Sequence, residues 1–73
     1  MAKDVPIRGE TIRLGQLLKF AGILQSGSEV KTFLVAEPLW VNEERETRRG
    51  RQLHPGDTVR TGEHELCVVA ADG

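Results

Sequence analysis

The sequence predicts an α+β fold in which a hairpin of two short helices packs on a small antiparallel β-sheet. Apolar residues recur at helical spacing in two stretches before Pro38, and the pattern changes to short alternating strands after it. A strong turn signal, His54-Pro55-Gly56-Asp57, separates the later strands. The chain has 73 residues, so a single domain is expected over residues 1–73.

The first helix is predicted from Thr11, a candidate N-cap, to about Gly22, a candidate C-cap. Its apolar stripe has the i, i+3, i+4, i+7 spacing of one helix face and consists of Leu14, Leu17, Leu18 and Ala21. Gly15 inside the helix costs about 1 kcal/mol relative to alanine, which indicates that another element packs closely there. Residues 1–6 and 71–73 are expected to be mobile, although residues 1–6 could instead form a short edge strand ending at Ile7-Arg8.

The second helix is predicted to begin in Ser26-Gly27-Ser28, where either serine hydroxyl can cap free amides. Its buried stripe consists of Val30, Phe33 and Leu34. Pro38 disfavours helix for the residue before it, so the helix should end near Ala36 or Glu37.

Strands are predicted for the rest of the chain. They are Leu39-Trp40-Val41, a polar strand from Arg45 to Leu53, Thr58-Val59-Arg60 and the segment from Glu65 to Ala70. Turns are predicted at Asn42-Glu43-Glu44 and at Gly62-Glu63.

Composition excludes several classes of function. Cys67 is the one cysteine, so neither an internal disulfide nor a thiolate zinc site is expected, and neither His54 nor His64 has partners at metal-ligand spacing. No phosphate-binding glycine loop or catalytic constellation is present, so no cofactor, no metal and no enzymatic activity are expected. The absence of a long apolar run predicts a cytoplasmic protein without membrane contact.

Positive charge is concentrated in one stretch of a chain whose net charge is -1. The stretch contains Arg45, Arg48, Arg49 and Arg51, with Glu46 as its one acid. Guanidinium groups bind phosphate oxygens in pairs, so an exposed arginine strand suits a nucleic-acid backbone. The alternative is a solvated strand whose arginines pair with Glu43, Glu44 and Glu46.

Two weaker signals have similar alternatives. The start of the second helix, with Lys31 one turn inside it, can bind an anion or can be an ordinary capped helix. Trp40 can stack on an unpaired base or can belong to the core.

The order of these features resembles the RNA-binding domain named after the fourth small-subunit ribosomal protein, the S-four-type domain or αL motif. The resemblance covers Ile12 to Val69 and rests on four segments: Arg13-Leu14-Gly15-Gln16-Leu17-Leu18-Lys19, Ser26-Gly27-Ser28-Glu29-Val30-Lys31, Val41-Asn42 and Leu53-His54-Pro55-Gly56-Asp57-Thr58-Val59. Glu46-Thr47-Arg48-Arg49-Gly50-Arg51 makes the chain most similar to small stand-alone, ribosome-associated bacterial proteins.

This resemblance implies non-enzymatic binding of structured RNA, ribosomal RNA above all, by a monomer that also meets ribosomal proteins. The RNA-facing residues that it implies are Arg13, Gln16, Ser26, Lys31, Asn42, Arg48, Arg49 and Arg51. The chain departs from the family where Gly27 replaces an arginine, and where Pro38 and Glu43 replace glycines.

Two other functions compete with RNA binding. One is a protein-interaction adaptor on the ribosome or another assembly, using Trp40 and the Glu43-Glu44-Arg45 hairpin. The other is a β-grasp sulfur carrier, which is disfavoured because such carriers end in Gly-Gly and this sequence ends Ala70-Ala71-Asp72-Gly73.

Overall fold

Two helices and the strands of a five-stranded sheet share one apolar core in the computed structural model, which describes residues 2–71. The helices are α1 (Leu14–Phe20) and α2 (Gly27–Ala36). The strands are β1 (Lys3–Ile7), β2 (Ile12–Arg13), β3 (Trp40–Val41), β4 (Glu44–Arg45), β5 (Gln52–Leu53), β6 (Thr58–Thr61) and β7 (His64–Ala70). The predicted α+β class is confirmed.

The main sheet has the order β1-β7-β6-β3-β4 and is mixed rather than antiparallel. β1 pairs with β7 in parallel, and the other neighbours in this sheet are antiparallel. Val5 and Ile7 of β1 are buried, and Pro6 between them is tolerated because β1 is an edge strand. The sequence allowed either a mobile segment or an edge strand here, and the structure has the edge strand over Lys3–Ile7. Met1, Asp72 and Gly73, for which mobility was also expected, lie outside the described residues.

The start of α1 differs from the prediction. Ile12 and Arg13 form β2, which pairs with β5, so Thr11 is not the N-cap and the helix begins at Leu14. The amide of Leu14 donates a hydrogen bond to the carbonyl of Arg51 at 2.8 Å, and the amide of Gly15 donates one to the carbonyl of Arg49 at 2.9 Å. These carbonyls satisfy the first helical amides in place of a capping side chain.

The core is built from the predicted apolar stripes of both helices together with side chains of the sheet. Its fully buried members include Leu14, Leu17, Leu18, Val30, Leu39, Val41, Leu53, Val59 and Val68. Ala21 and Phe33, predicted for the same stripes, are partly buried against this cluster. The α2 boundaries, with Ser26 in the N-cap position and the last helical residue at Ala36, agree with the sequence prediction.

The hairpin between β3 and β4 has a two-residue turn. Asn42 and Glu43 have φ values of 51° and 70°, and two consecutive positive φ values define a type I′ turn, whose twist suits a tight hairpin. The Asn42 side chain fixes this turn by donating to Asp57 Oδ1 (3.0 Å) and accepting from the amide of Thr58 (2.9 Å). Asn42 therefore connects the hairpin to the Pro-Gly-Asp turn.

Candidate nucleic-acid interface

The arginine-rich stretch is a loop between β4 and β5, not a strand, and we call residues 46–51 the arginine loop. Glu46 begins the loop and is only 6% exposed. Its carboxylate accepts hydrogen bonds from the amides of Thr47 and Arg48, both at a distance of 3.0 Å, and from the guanidinium groups of Arg48 and Arg51. Glu46 therefore folds the loop around one buried carboxylate.

The Glu46 carboxylate is ionised at any physiological pH. The hydrogen bond from the Arg48 side chain has the largest effect on the pKa of Glu46 and lowers it. Burial raises this pKa, but the hydrogen bonds from the Arg48 amide, the Arg51 side chain and the Thr47 amide lower it further, so that the pKa falls to about 2. The hydrogen bond to Glu46 and the negative charge of Glu46 raise the pKa of Arg48. Glu46 thus pairs with Arg48 and Arg51 and balances one of their two positive charges. The alternative of a solvated strand had its arginines paired with Glu43, Glu44 and Glu46, and of these three acids Glu46 forms such ion pairs.

Arg45 directly precedes the arginine loop, but its side chain points to the outer face of the main sheet. Its guanidinium lies 5.7 Å from the ring centroid of Trp40, and the guanidinium of Arg60 lies 4.5 Å from the same centroid. Val41, the next residue to Trp40, is buried in the core, so Trp40 points to the opposite face. Trp40 is therefore packed by cation–π contacts with two neighbouring strands.

Arg49 projects from the arginine loop beside α1. The loop can approach because residue 15 is glycine: a Cβ added at Gly15 would lie 3.3 Å from Val30 Cγ1 and 3.5 Å from the Arg49 carbonyl oxygen. The close packing that Gly15 predicted is confirmed, and its partners are α2 and the arginine loop. Among residues 2–71, Arg49 forms no ion pair with a carboxylate.

A groove of about 280 Å³ lies between the two helix starts and the arginine loop, and we call it the helix-loop groove. It is lined by Arg13, Gly15, Gln16, Lys19, Gly27, Val30, Arg49 and Gly50. The three cations of this group are exposed and come from three different segments, and the lining contains no acidic side chain. Such a concave, positively charged surface focuses its field on an approaching phosphate.

Lys19 is a member of the groove that sequence reasoning missed. Its Nζ would lie 3.9 Å from a Cβ added at Gly27, so the ammonium group reaches the start of α2. The Ser26 hydroxyl does not cap this helix; its Oγ lies 3.1 Å from Ser28 Oγ. The signal was present in the sequence for Gln16 and Lys19, because a spacing of three residues places two side chains on the same face of a helix.

The groove gathers some of the predicted site residues and leaves others apart. Arg13, Gln16 and Arg49 line it, Ser26 adjoins it through Gly27, and Lys31 lines a neighbouring depression together with Arg49. Arg48 and Arg51 are bound to Glu46 and do not line the groove.

Asn42 has a structural role in its hairpin. Although burial raises the pKa of Asp57, hydrogen bonds from Asn42 and from the His54 amide lower it overall, so the Asn42 amide faces a carboxylate. Its donors are therefore directed at Asp57.

Substitution of Gly15 should separate the loop from α1. Gly15→Val is expected to cost about 1–3 kcal/mol in the free energy of unfolding, because its Cβ would already lie within 3.3 Å of Val30 Cγ1 and in contact with the Arg49 carbonyl oxygen, and the two further methyl groups need space beyond that. The matched control is Gly27→Val, where the nearest atom is the end of the flexible Lys19 side chain and the change should stay within about 0.5 kcal/mol. Urea unfolding measures both; equal effects at the two positions would refute the close approach.

The part of the chain that the structure describes has neither a metal site nor a membrane-spanning helix. Over residues 2–71, no three His, Cys, Asp or Glu side chains are grouped so that they could hold a metal ion. No helix in the same range is long and apolar enough to cross a membrane.

A small α+β domain that gathers cations from a strand, a helix and a loop is the arrangement expected of an RNA-binding domain. The family model described as "S4 domain" matches residues 5–69. The chain is also 48% identical, over 59 residues, to the "Probable ribosome maturation protein RlbA" of Bacillus subtilis (strain 168), an alignment that covers 81% of this chain and 83% of the relative.

The chain therefore belongs to the S4 domain family, and the resemblance found in its sequence is confirmed. The family match begins at Val5, seven residues before the predicted start at Ile12, and so includes most of β1.

Proposed function

We propose that this protein binds structured RNA, ribosomal RNA above all, without catalysing a reaction, and that the helix-loop groove is the center of the contact. The observation that carries the proposal is the convergence of Arg13, Lys19 and Arg49 on one groove that has no carboxylate in its lining. Phosphate oxygens suit this set, because each cation donates several hydrogen bonds and none accepts one.

The start of α2 strengthens the proposed site. The first amides of a helix carry partial positive charge, and here no side chain caps them while Lys19 lies alongside. A phosphate seated there would meet the helix start and an ammonium group together. Gly27, which stands where many domains of this type carry arginine, leaves room for a phosphate to approach the backbone closely.

Glu46 assigns different roles to the arginines. Arg48 and Arg51 hold the arginine loop in shape, and Arg49, presented by that loop, contacts the phosphate backbone. Arg48 is 73% exposed despite its ion pair, so it adds to the positive field at the rim of the surface.

We propose that the protein acts as a monomer in the cytoplasm. We also propose that it recognises RNA chiefly by shape, since A-form helices present phosphates and 2′-hydroxyls rather than accessible base edges.

The relative's printed name connects this proposal to ribosome maturation, and we extend that role to this chain. An adaptor function on Trp40 and the Glu43-Glu44-Arg45 hairpin is not proposed, because Trp40 and Arg45 already contact each other within the sheet.

The experiment is a fluorescence-anisotropy titration of a structured ribosomal-RNA fragment and a duplex-DNA control at several salt concentrations. Each phosphate neutralised releases counterions, so log Kd should change with log salt by about 0.9 for each phosphate contact, and RNA should be preferred. Binding that is insensitive to salt, or equal for RNA and DNA, would refute the proposal.

A further inference from the structure

A second groove adjoins the helix-loop groove and contains an exposed phenylalanine ring. It has a volume of about 880 Å³ and lies between the end of α1 and the end of β1. Phe20, the last residue of α1, lines it and is 63% exposed. Ile7, which is buried, and Ile12, which is half-buried, form an apolar part of its wall.

The charged residues that line this groove are both cations. Arg8 and Lys19 line it, and the described residues that line it include no aspartate or glutamate. An aromatic ring beside two cations, over an apolar wall, is complementary to a nucleotide, whose base has an apolar face and whose phosphate is negative. We call this the Phe20 groove.

The two grooves form one continuous surface. Gln16 and Lys19 line both of them, and Phe20 follows Lys19 directly along the chain. A strand whose phosphate is held by Lys19 would therefore have its neighbouring nucleotide within the Phe20 groove.

We propose that the Phe20 groove binds an unpaired nucleotide of the RNA, with the base stacked on the Phe20 ring and Arg8 and Lys19 facing the flanking phosphates. This inference rests on the proposed function and names the feature of RNA that the protein selects. A paired base cannot serve, because its faces are covered by its neighbours in the helix, whereas aromatic side chains stack on bases splayed from bulges and loops. The domain would then recognise a helix with a bulged or looped nucleotide at its side.

The test compares two RNA hairpins that differ only in one bulged 2-aminopurine, a base whose fluorescence falls when it stacks. Wild type should bind the bulged hairpin about tenfold more tightly than the paired one, as expected for one stacked base, and should quench the fluorescence. Phe20→Ala and Phe20→Leu should abolish the preference and the quenching while binding to the paired hairpin remains. Phe20→Tyr, which keeps an aromatic ring, should behave as wild type.

Several outcomes would overturn the inference. These are Phe20→Ala behaving as wild type, Phe20→Ala weakening both hairpins equally, and Phe20→Leu keeping the preference, which would indicate apolar contact without stacking. Binding of poly-glutamate that depends on Phe20, with RNA binding unaffected, would assign the groove to an acidic protein segment instead.

Arg49→Ala separates this inference from the function on which it rests. If Arg49→Ala weakens binding of both hairpins while Phe20→Ala changes neither, the proposed RNA binding stands and the nucleotide groove is wrong. If wild type binds neither hairpin, both are wrong. Thermal unfolding of each variant checks folding, and because the Phe20 ring is largely exposed, its replacement should leave the melting temperature nearly unchanged.

Discussion

Replacing Arg49 with alanine is expected to weaken binding of structured RNA by about tenfold or more, because a charge-assisted hydrogen bond contributes about 1.5–3 kcal/mol. The combined Lys19→Ala/Arg49→Ala variant should lose about 100-fold. The dependence of log Kd on log salt should fall by about one unit for each cation removed. Fluorescence anisotropy across a salt series measures the affinity and the salt dependence together.

The matched control for this prediction is Arg45→Ala/Arg60→Ala. It removes the same number of positive charges, and one of the two arginines belongs to the same basic stretch of the sequence as Arg49. Both guanidinium groups pack on Trp40, away from the helix-loop groove. This control should keep most of the affinity, and an equal loss in both double variants would show that net charge, not the groove, determines binding.

Glu46→Gln is expected to have the largest effect on stability among single changes in the arginine loop. The pKa of Glu46 falls from an ordinary 4.5 to about 2 in the fold, so the ionised carboxylate stabilises the folded state. At about 1.4 kcal/mol per pKa unit, neutralising it should cost roughly 3 kcal/mol at pH 7. The glutamine keeps one acceptor oxygen but faces two arginines without a charge to balance them.

The pH dependence of stability has a defined sign. Because the folded-state pKa of Glu46 is the lower one, its contribution is fully present above about pH 4.5 and is lost as the pH falls toward 2. Urea unfolding from pH 7 to pH 2 should therefore show a smaller decline in Glu46→Gln than in wild type. Glu44→Gln, an exposed neighbour in β4, is the control and should follow wild type. Parallel curves for wild type and Glu46→Gln would contradict the role given to the buried carboxylate.

The helices and the core could be predicted because their signal is local. The spacing of Leu14, Leu17 and Leu18 defines a buried face whatever the helix packs against, and Pro38 limits α2 from one direction. Gly15 also indicated a close neighbour correctly. The family resemblance added the order of the elements and brought Gln16 and Arg49 to one surface.

The rest depends on contacts between distant parts of the chain. β1 forms because it pairs with the edge of β7. The residues Lys3–Ile7 alone do not indicate that β7 is their partner. The arginine stretch was predicted to be a strand, but the Glu46 carboxylate accepts hydrogen bonds from the backbone amides that follow it and so stabilises a loop. Composition cannot predict whether these amides bond to a side chain or to another strand. Lys19 was overlooked because it lies outside that stretch, although the fold places it beside Gly27.

The most direct test of the central claim is an amide and indole NMR titration of the protein with a structured ribosomal-RNA fragment. Trp40 is the one tryptophan of the chain, so its indole N–H reports on the outer sheet face as a single resolved signal. If the helix-loop groove is the RNA surface, the amides of Gly15, Gly27 and Gly50 should shift strongly and the Trp40 indole should stay in place. A large shift of the Trp40 indole with unchanged glycine amides would contradict the account and move the RNA to the opposite face of the sheet.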